Sequence, residues 1–203
     1  MIKCKKNEKR GCRMTFDIEL DDSKTIYITN FANVIPPEDI QMLKNELSES
    51  DITVKSTDTE GQPMAFAELD TVVSILIHSA VLTSLVESIG QSATWDLIKL
   101  FASKSWKRIK GQKYTKLYLS GGSERKDITF GINATINNAD YTFRFDNVSP
   151  DDANEALDKI LDFFKEQTNH QKWSTHIGNY NNDKQEWELK ELREIVKELN
   201  KNK

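Results

Sequence analysis

The chain predicts an α+β domain, with an antiparallel sheet of roughly five or six strands packed by four helices and one further amphipathic helix at the carboxy-terminal end. Three observations lead there. Apolar and polar residues alternate with period two through residues 128–145, helix-start signals precede helically spaced apolar residues at two places, and no cysteine framework is available to replace a core. With 37% hydrophobic and 30% charged residues, the 203-residue chain can bury one core under a heavily charged surface.

Phe16, Ile18 and Leu20 alternate with Asp17 and Glu19, and a second run from Thr25 to Phe31 follows a polar turn, which predicts a hairpin. Pro36-Pro37-Glu38-Asp39 supplies proline and acids where a helix begins, and Ile40, Leu43 and Leu47 then recur at helical spacing as far as Ser48. A short strand is expected from Asp51 to Lys55, then a loop to Pro63. Residues 71–86 carry no charge and are expected to form a buried helix, since a membrane span would need about 20 apolar residues and this run is broken by Ser74, His78, Ser79, Thr83 and Ser84. Gly90 ends it, and Ser92 caps a helix from Ala93 to Ile109 that turns Trp95, Ile98, Ala102 and Ile109 to one side.

Tyr114 to Leu119 reads as a strand beside the sheet, set off by Gly121-Gly122. Ile128 to Ile136 and Tyr141 to Phe145 then form a hairpin about the turn Asn137-Asn138-Ala139-Asp140. Ser149-Pro150-Asp151-Asp152 opens a helix whose stripe of Ala153, Leu157, Ile160, Leu161 and Phe164 is suited to cover that hairpin. These boundaries give a basic extension over 1–13, a core over 14–168, a linker over 169–182 and an amphipathic helix over 183–203. That last helix carries a seam of Leu189, Leu192, Val196 and Leu199 for a partner protein or a second copy.

The formal charge of -4 excludes a general polyanion binder, so any electrostatic recognition must be local. Residues 1–13 hold six cations and Glu8 but no apolar h-region, which points to a cytoplasmic chain rather than a secreted one. Cys4 and Cys12 lack metal-site spacing and read as two solvated thiols; neither a metal nor a cofactor is expected. No Walker loop, dinucleotide fingerprint, nucleophile elbow or zincin motif occurs, which favours a non-enzymatic role. His78 in the apolar run reads as a hydrogen-bonded core imidazole, and His170 and His176 as linker residues. Asp127, Asp140 and Asp146 sit at strand ends. Acids there ordinarily punctuate turns, but a small hydrolase could gather them around Mg²⁺.

Lys104 to Lys116 contains no acid, and Lys107, Arg108, Lys110 and Lys113 interleave with Trp106, Tyr114 and Tyr118. Cations neutralise phosphates and aromatic faces stack on bases, so Lys107, Arg108, Lys110, Lys113 and Tyr114 are the candidate contacts for nucleic acid or an anionic nucleotide. The same cations also complement the dipole at the end of the Ala93 helix.

From Pro36 to about residue 168 the order of elements resembles the effector-associated constant component proteins of bacterial conflict systems. A helix and short strand lead into the apolar segment 69–89, a tryptophan-bearing helix with a basic end from Trp95 to Lys110 follows, and strands and a closing helix complete the order. The glycine-rich break expected after the apolar segment is here only Gly90. The resemblance implies a non-catalytic accessory part in a defence or signalling assembly. Three functions follow as expectations: an interaction module, a nucleic-acid or nucleotide binder, and a metal-dependent hydrolase.

Overall fold

The computed structural model describes residues 24–60, 71–87, 93–118, 121–166 and 173–201. The elements are β1 (Thr25–Asn30), α1 (Pro37–Ser48), β2 (Thr53–Asp58), β3 (Val73–Ile77), α2 (Ser79–Glu87), α3 (Ala93–Ile109), β4 (Lys113–Leu117), β5 (Ser123–Asp127), β6 (Phe130–Ile136), β7 (Ala139–Arg144), α4 (Ala153–Lys165), β8 (Ser174–Asn181), β9 (Glu186–Glu191) and α5 (Leu192–Lys201). The expected extension 1–13 with Cys4 and Cys12, the strand at 16–20, the Ser92 cap and His170 lie outside the described residues.

The expected antiparallel sheet of five or six strands is corrected to a mixed sheet of seven, in the order β2-β1-β3-β6-β7-β8-β9. Three neighbouring pairs are parallel: β1 with β2, β3 with β6, and β7 with β8. Each is joined through at least one helix, the length of chain that a parallel return requires. Both edges of β1 are taken, by β2 and β3, rather than by a hairpin partner upstream.

Register puts one apolar face together. Ile28, Ile75, Ile132 and Phe143 lie in line across four strands, and all four are buried. The hairpin of β6 and β7 is as the alternation predicts, with Asn137 and Asn138 at φ 52° and 61° in the turn, a conformation asparagine tolerates. Helices α1 to α4 cover this face. Trp106 of α3 lies 6.2 Å from the rings of both Phe130 and Phe145, and Phe163 and Phe164 of α4 meet Tyr141 and Phe143 edge-on. α1 joins the layer by packing on α3 and β2. β1 and β7 point the same way, yet the chain steps from β1 toward one sheet edge and from β7 toward the other with α1 and α4 on the same face. The two crossovers therefore have opposite hands, and one departs from the right-handed form that such units nearly always take.

Two expectations need correction. The buried helix over 71–86 is instead β3 followed by α2, broken at His78. Ser74 is buried and Leu76 partly buried on the face opposite Val73, Ile75 and Ile77, so both faces of β3 are sheltered and it reads as a continuous run, and Val73, Ile75 and Ile77 are β-branched residues that suit a strand. The linker over 169–182 and the helix from 183 are replaced by the antiparallel pair β8 and β9, with α5 beginning only at Leu192. Trp187 and Leu189 are partly buried against the core with two-residue spacing, and Gln185 at φ 53° closes the turn between the strands. Trp187 donates its indole N–H to the Ala156 carbonyl at 2.8 Å, fastening β9 beneath α4. Among the described residues no helix is long and apolar enough to cross a membrane.

Gly131 marks a close approach in the sheet centre. A Cβ there would lie 2.5 Å from Thr71 Cγ2 and 3.1 Å from the Phe143 carbonyl oxygen. Gly131→Ala is expected to destabilise the fold by about 1–3 kcal/mol through overpacking, read as a lower urea midpoint with unchanged slope.

Candidate nucleic-acid interface

The last turns of α3 sort their side chains by position. Trp106 and Ile109 are buried, which leaves Lys107, Arg108 and Lys110 exposed. Gly111 then turns the chain out of the helix at φ 81°, a conformation that favours glycine. Beyond it β4 and β5 pair only with each other, as a two-stranded sheet separate from the main one. The strand expected from Tyr114 to Leu119 beside the sheet is thus one half of a basic arm. Its base is closed by the Ile128 N–H donating to the Gln112 carbonyl at 2.8 Å, and the Gln112 side chain donates to the Arg108 carbonyl at 2.8 Å.

Strand pairing gives the arm two unlike faces. On one lie Tyr114, Lys126, Lys116, Glu124 and Tyr118. This face is occupied by its own contacts: Tyr114 meets Phe31 edge-on at 5.4 Å, the Tyr118 hydroxyl donates to Glu124, Lys116 sits 5.2 Å from the Tyr118 ring centre, and Lys126 pairs with Glu124 at 3.5 Å. The Tyr118 hydrogen bond and, less strongly, the two lysines hold the Glu124 carboxyl below its ordinary pKa. On the other face lie Lys113 with Asp127, Thr115 with Arg125, and Leu117 with Ser123.

The five residues nominated from sequence fall together at the end of α3 and the base of the arm, in different electrostatic states. Arg108 and Lys104 share Asp39, at 3.5 and 2.7 Å, so two cations face one carboxylate. Lys110 reaches the carbonyls of Asp146 and Val148, each at 3.1 Å, with its ammonium 4.8 Å from the Trp106 ring centre; these contacts hold its position without cancelling its charge. Lys113 pairs with Asp127 at 3.3 Å. Tyr114 is a prop for the arm, half-buried against Phe31. Lys107 makes no ion pair among the described residues. Arg125 is likewise exposed without an ion pair among the described residues, and sequence reading missed it because Ser123–Asp127 has no apolar alternation to mark a strand. The signal was Gly121-Gly122, whose φ values of 84° and 96° are those of a reversing turn.

The prop itself is anchored. Phe31 precedes Ala32 and Asn33, both in the left-handed region at φ 48° and 52°. Their N–H groups donate to the Asp58 carboxylate at 3.1 and 2.8 Å, and the Glu60 N–H adds a third bond at 2.9 Å. Burial pushes the Asp58 carboxyl up, but the three donors outweigh it and hold it below its ordinary range. A carboxylate depressed in the folded state contributes stability that is present above its unfolded pKa and lost as pH falls through the folded one. Asp58→Ala is therefore expected to be less stable than the parent at pH 7. The gap, measured by thermal melts, should narrow as the pH falls below the ordinary aspartate range, since the folded carboxyl titrates lower than the unfolded one.

The remaining candidates do not converge. Asp127 faces Lys113, Asp140 accepts from Thr135 and Trp173, and Asp146 pairs with Arg144 at 2.6 Å. No group of three or more His, Cys, Asp or Glu able to hold a metal occurs among the described residues. His78 lies 5.8 Å from the Tyr27 ring with its buried Nε2 lacking a hydrogen-bond partner among the described residues, which corrects the hydrogen-bonded imidazole expected there, and His176 stacks on Tyr141 with its Nε2 3.0 Å from Ser174 Oγ. The seam named for a partner is divided. Leu189 belongs to β9 and packs toward the core, Leu192 and Val196 belong to α5, which packs on β8 and β9, and the Leu199 side chain lies outside the described residues. A scan against protein-family models and searches of curated proteins and solved structures return no match to this chain.

Proposed function

We propose that the chain is a non-enzymatic binding module that holds the phosphate backbone of a nucleic acid between the end of α3 and the β4–β5 arm. The observation that carries this reading is the arm itself, a two-stranded ribbon outside the main sheet with Arg125 and Thr115 on its outward face and Lys107 near its root. A ribbon of two strands is narrow enough to enter a groove of duplex DNA, and cations along it release counterions from phosphates. The chain's overall charge of -4 opposes a polyanion, so the attraction has to come from the cations of the arm and its root.

Fluorescence anisotropy with labelled duplex and single-stranded oligonucleotides over a salt series tests it. With roughly four or five phosphates engaged, log K is expected to fall against log salt with a slope near -4. No binding at about 50 mM salt, or binding indifferent to salt, overturns the proposal. In a bacterial defence or signalling assembly, the setting that the family resemblance implies, the arm would be the accessory component's contact with nucleic acid.

A second reading, association through α5, is favoured by Val196, which is 42% exposed on that helix. Light scattering of the full chain and of a form ending at Glu191 distinguishes it, with loss of a dimer mass on truncation as the expected result. Equal masses remove α5 from the account.

A further inference from the structure

We infer that the nucleic acid taken by the arm is duplex DNA, and that Leu117 enters between its base pairs and bends it. This rests on the backbone-holding role proposed above for the same arm. Leu117 is 78% exposed, more than any other large apolar side chain among the described residues, and it stands on the last pair of β4 and β5. Behind it on the same face, at steps of about 7 Å, come Thr115 with Arg125 and then Lys113 with Asp127. The order is an exposed apolar side chain on the last pair before the 118–122 connection, then a hydroxyl and a guanidinium, then the root of the arm.

Chemistry separates duplex from single strand. Binders of single strands stack bases on aromatic faces, and both tyrosines of the arm are engaged elsewhere. Tyr114 is packed against Phe31, and Tyr118 is covered by Lys116 and bonded to Glu124. An aliphatic side chain offers no face for stacking; it acts on a duplex by wedging a base step apart from the minor groove, which unstacks the step and kinks the helix toward the major groove. Lys107 and Lys110, at the end of α3, keep the phosphate-holding part proposed above at the root of the arm.

The test is end-to-end energy transfer in a doubly labelled duplex of about 30 base pairs, with the full-length chain and Leu117→Ala. The parent is expected to shorten the end-to-end distance. It should also bind about tenfold more tightly where the centre carries flexible TA steps or a mismatch, which cost less to unstack. Leu117→Ala, at an exposed position that leaves the fold unchanged by circular dichroism, should bind within about threefold and leave the duplex straight, while Leu117→Met should still bend it. Binding without bending by the parent, equal bending by Leu117→Ala, or tighter binding of single strands overturns the inference and leaves the phosphate-holding role standing. Failure to bind any oligonucleotide removes both.

Discussion

Phe143→Ala is expected to lower the stability of the fold by about 3–5 kcal/mol, the range for removing a fully buried aromatic side chain. Phe143 is 0% exposed and lies at the meeting point of three elements. Its ring is 5.6 Å from both Phe163 and Phe164 on α4, 6.4 Å from Tyr141 and 5.1 Å from Trp187 on β9. Gly178 of β8 lies beside it in register, and a Cβ there would come within 3.1 Å of the ring. The loss should be larger than transfer alone predicts, because these rings are held by separate elements and cannot all close into the space. Urea denaturation followed by tryptophan fluorescence measures it. A loss below about 1 kcal/mol would show that the ring is not packed as described.

Lys107→Ala combined with Arg125→Ala should carry the largest effect on binding. Each side chain is an exposed cation with no ion pair among the described residues, so its removal neither orphans a buried group nor frees an acid. Affinity for duplex DNA near 0.1 M salt should drop on the order of 50-fold, and the salt slope should become shallower by about 2. Lys165→Ala, which removes a cation already paired with Asp162 on α4, should leave both unchanged. Were Lys165→Ala as damaging as the double variant, net charge rather than the arm would be responsible.

Amphipathic elements at the surface of the core were legible from sequence because their period survives in one dimension. α1, α3, α4 and the β6–β7 hairpin carry apolar residues at spacings that only one conformation aligns, and the Ser149 hydroxyl does bond the Asp152 N–H at 3.1 Å at the start of α4. β3 was not legible, since a strand sheltered on both faces loses its alternation. In β9, Leu189 was absorbed into a helical seam with Leu192, Val196 and Leu199, because steps of three and four residues are the helical period, and Trp187, two residues before Leu189 as a strand requires, was left out of it. Which strands neighbour one another is a property of long-range pairing, and no local pattern states that residues 73–77 lie beside residues 130–134.

The candidate site divides in the same way. A run of cations with no acid is visible in sequence, whereas the acids that answer it are remote: Asp39 comes from α1 to meet Lys104 and Arg108, and Asp127 returns from β5 to meet Lys113. Composition therefore could not show the acids facing Arg108 and Lys113, and it passed over Arg125, whose exposure depends on which face of a ribbon it occupies.

Gln112 and Ile128 are hydrogen-bonded neighbours, so the chain leaves the body and re-enters it at nearly one point. The stretch beyond Tyr114, which is tied to Phe31, can change in length or charge while the scaffold keeps its boundary conditions. Selection can thus tune what is grasped independently of what is folded, and a graft spanning the same two residues would inherit a ready-made socket.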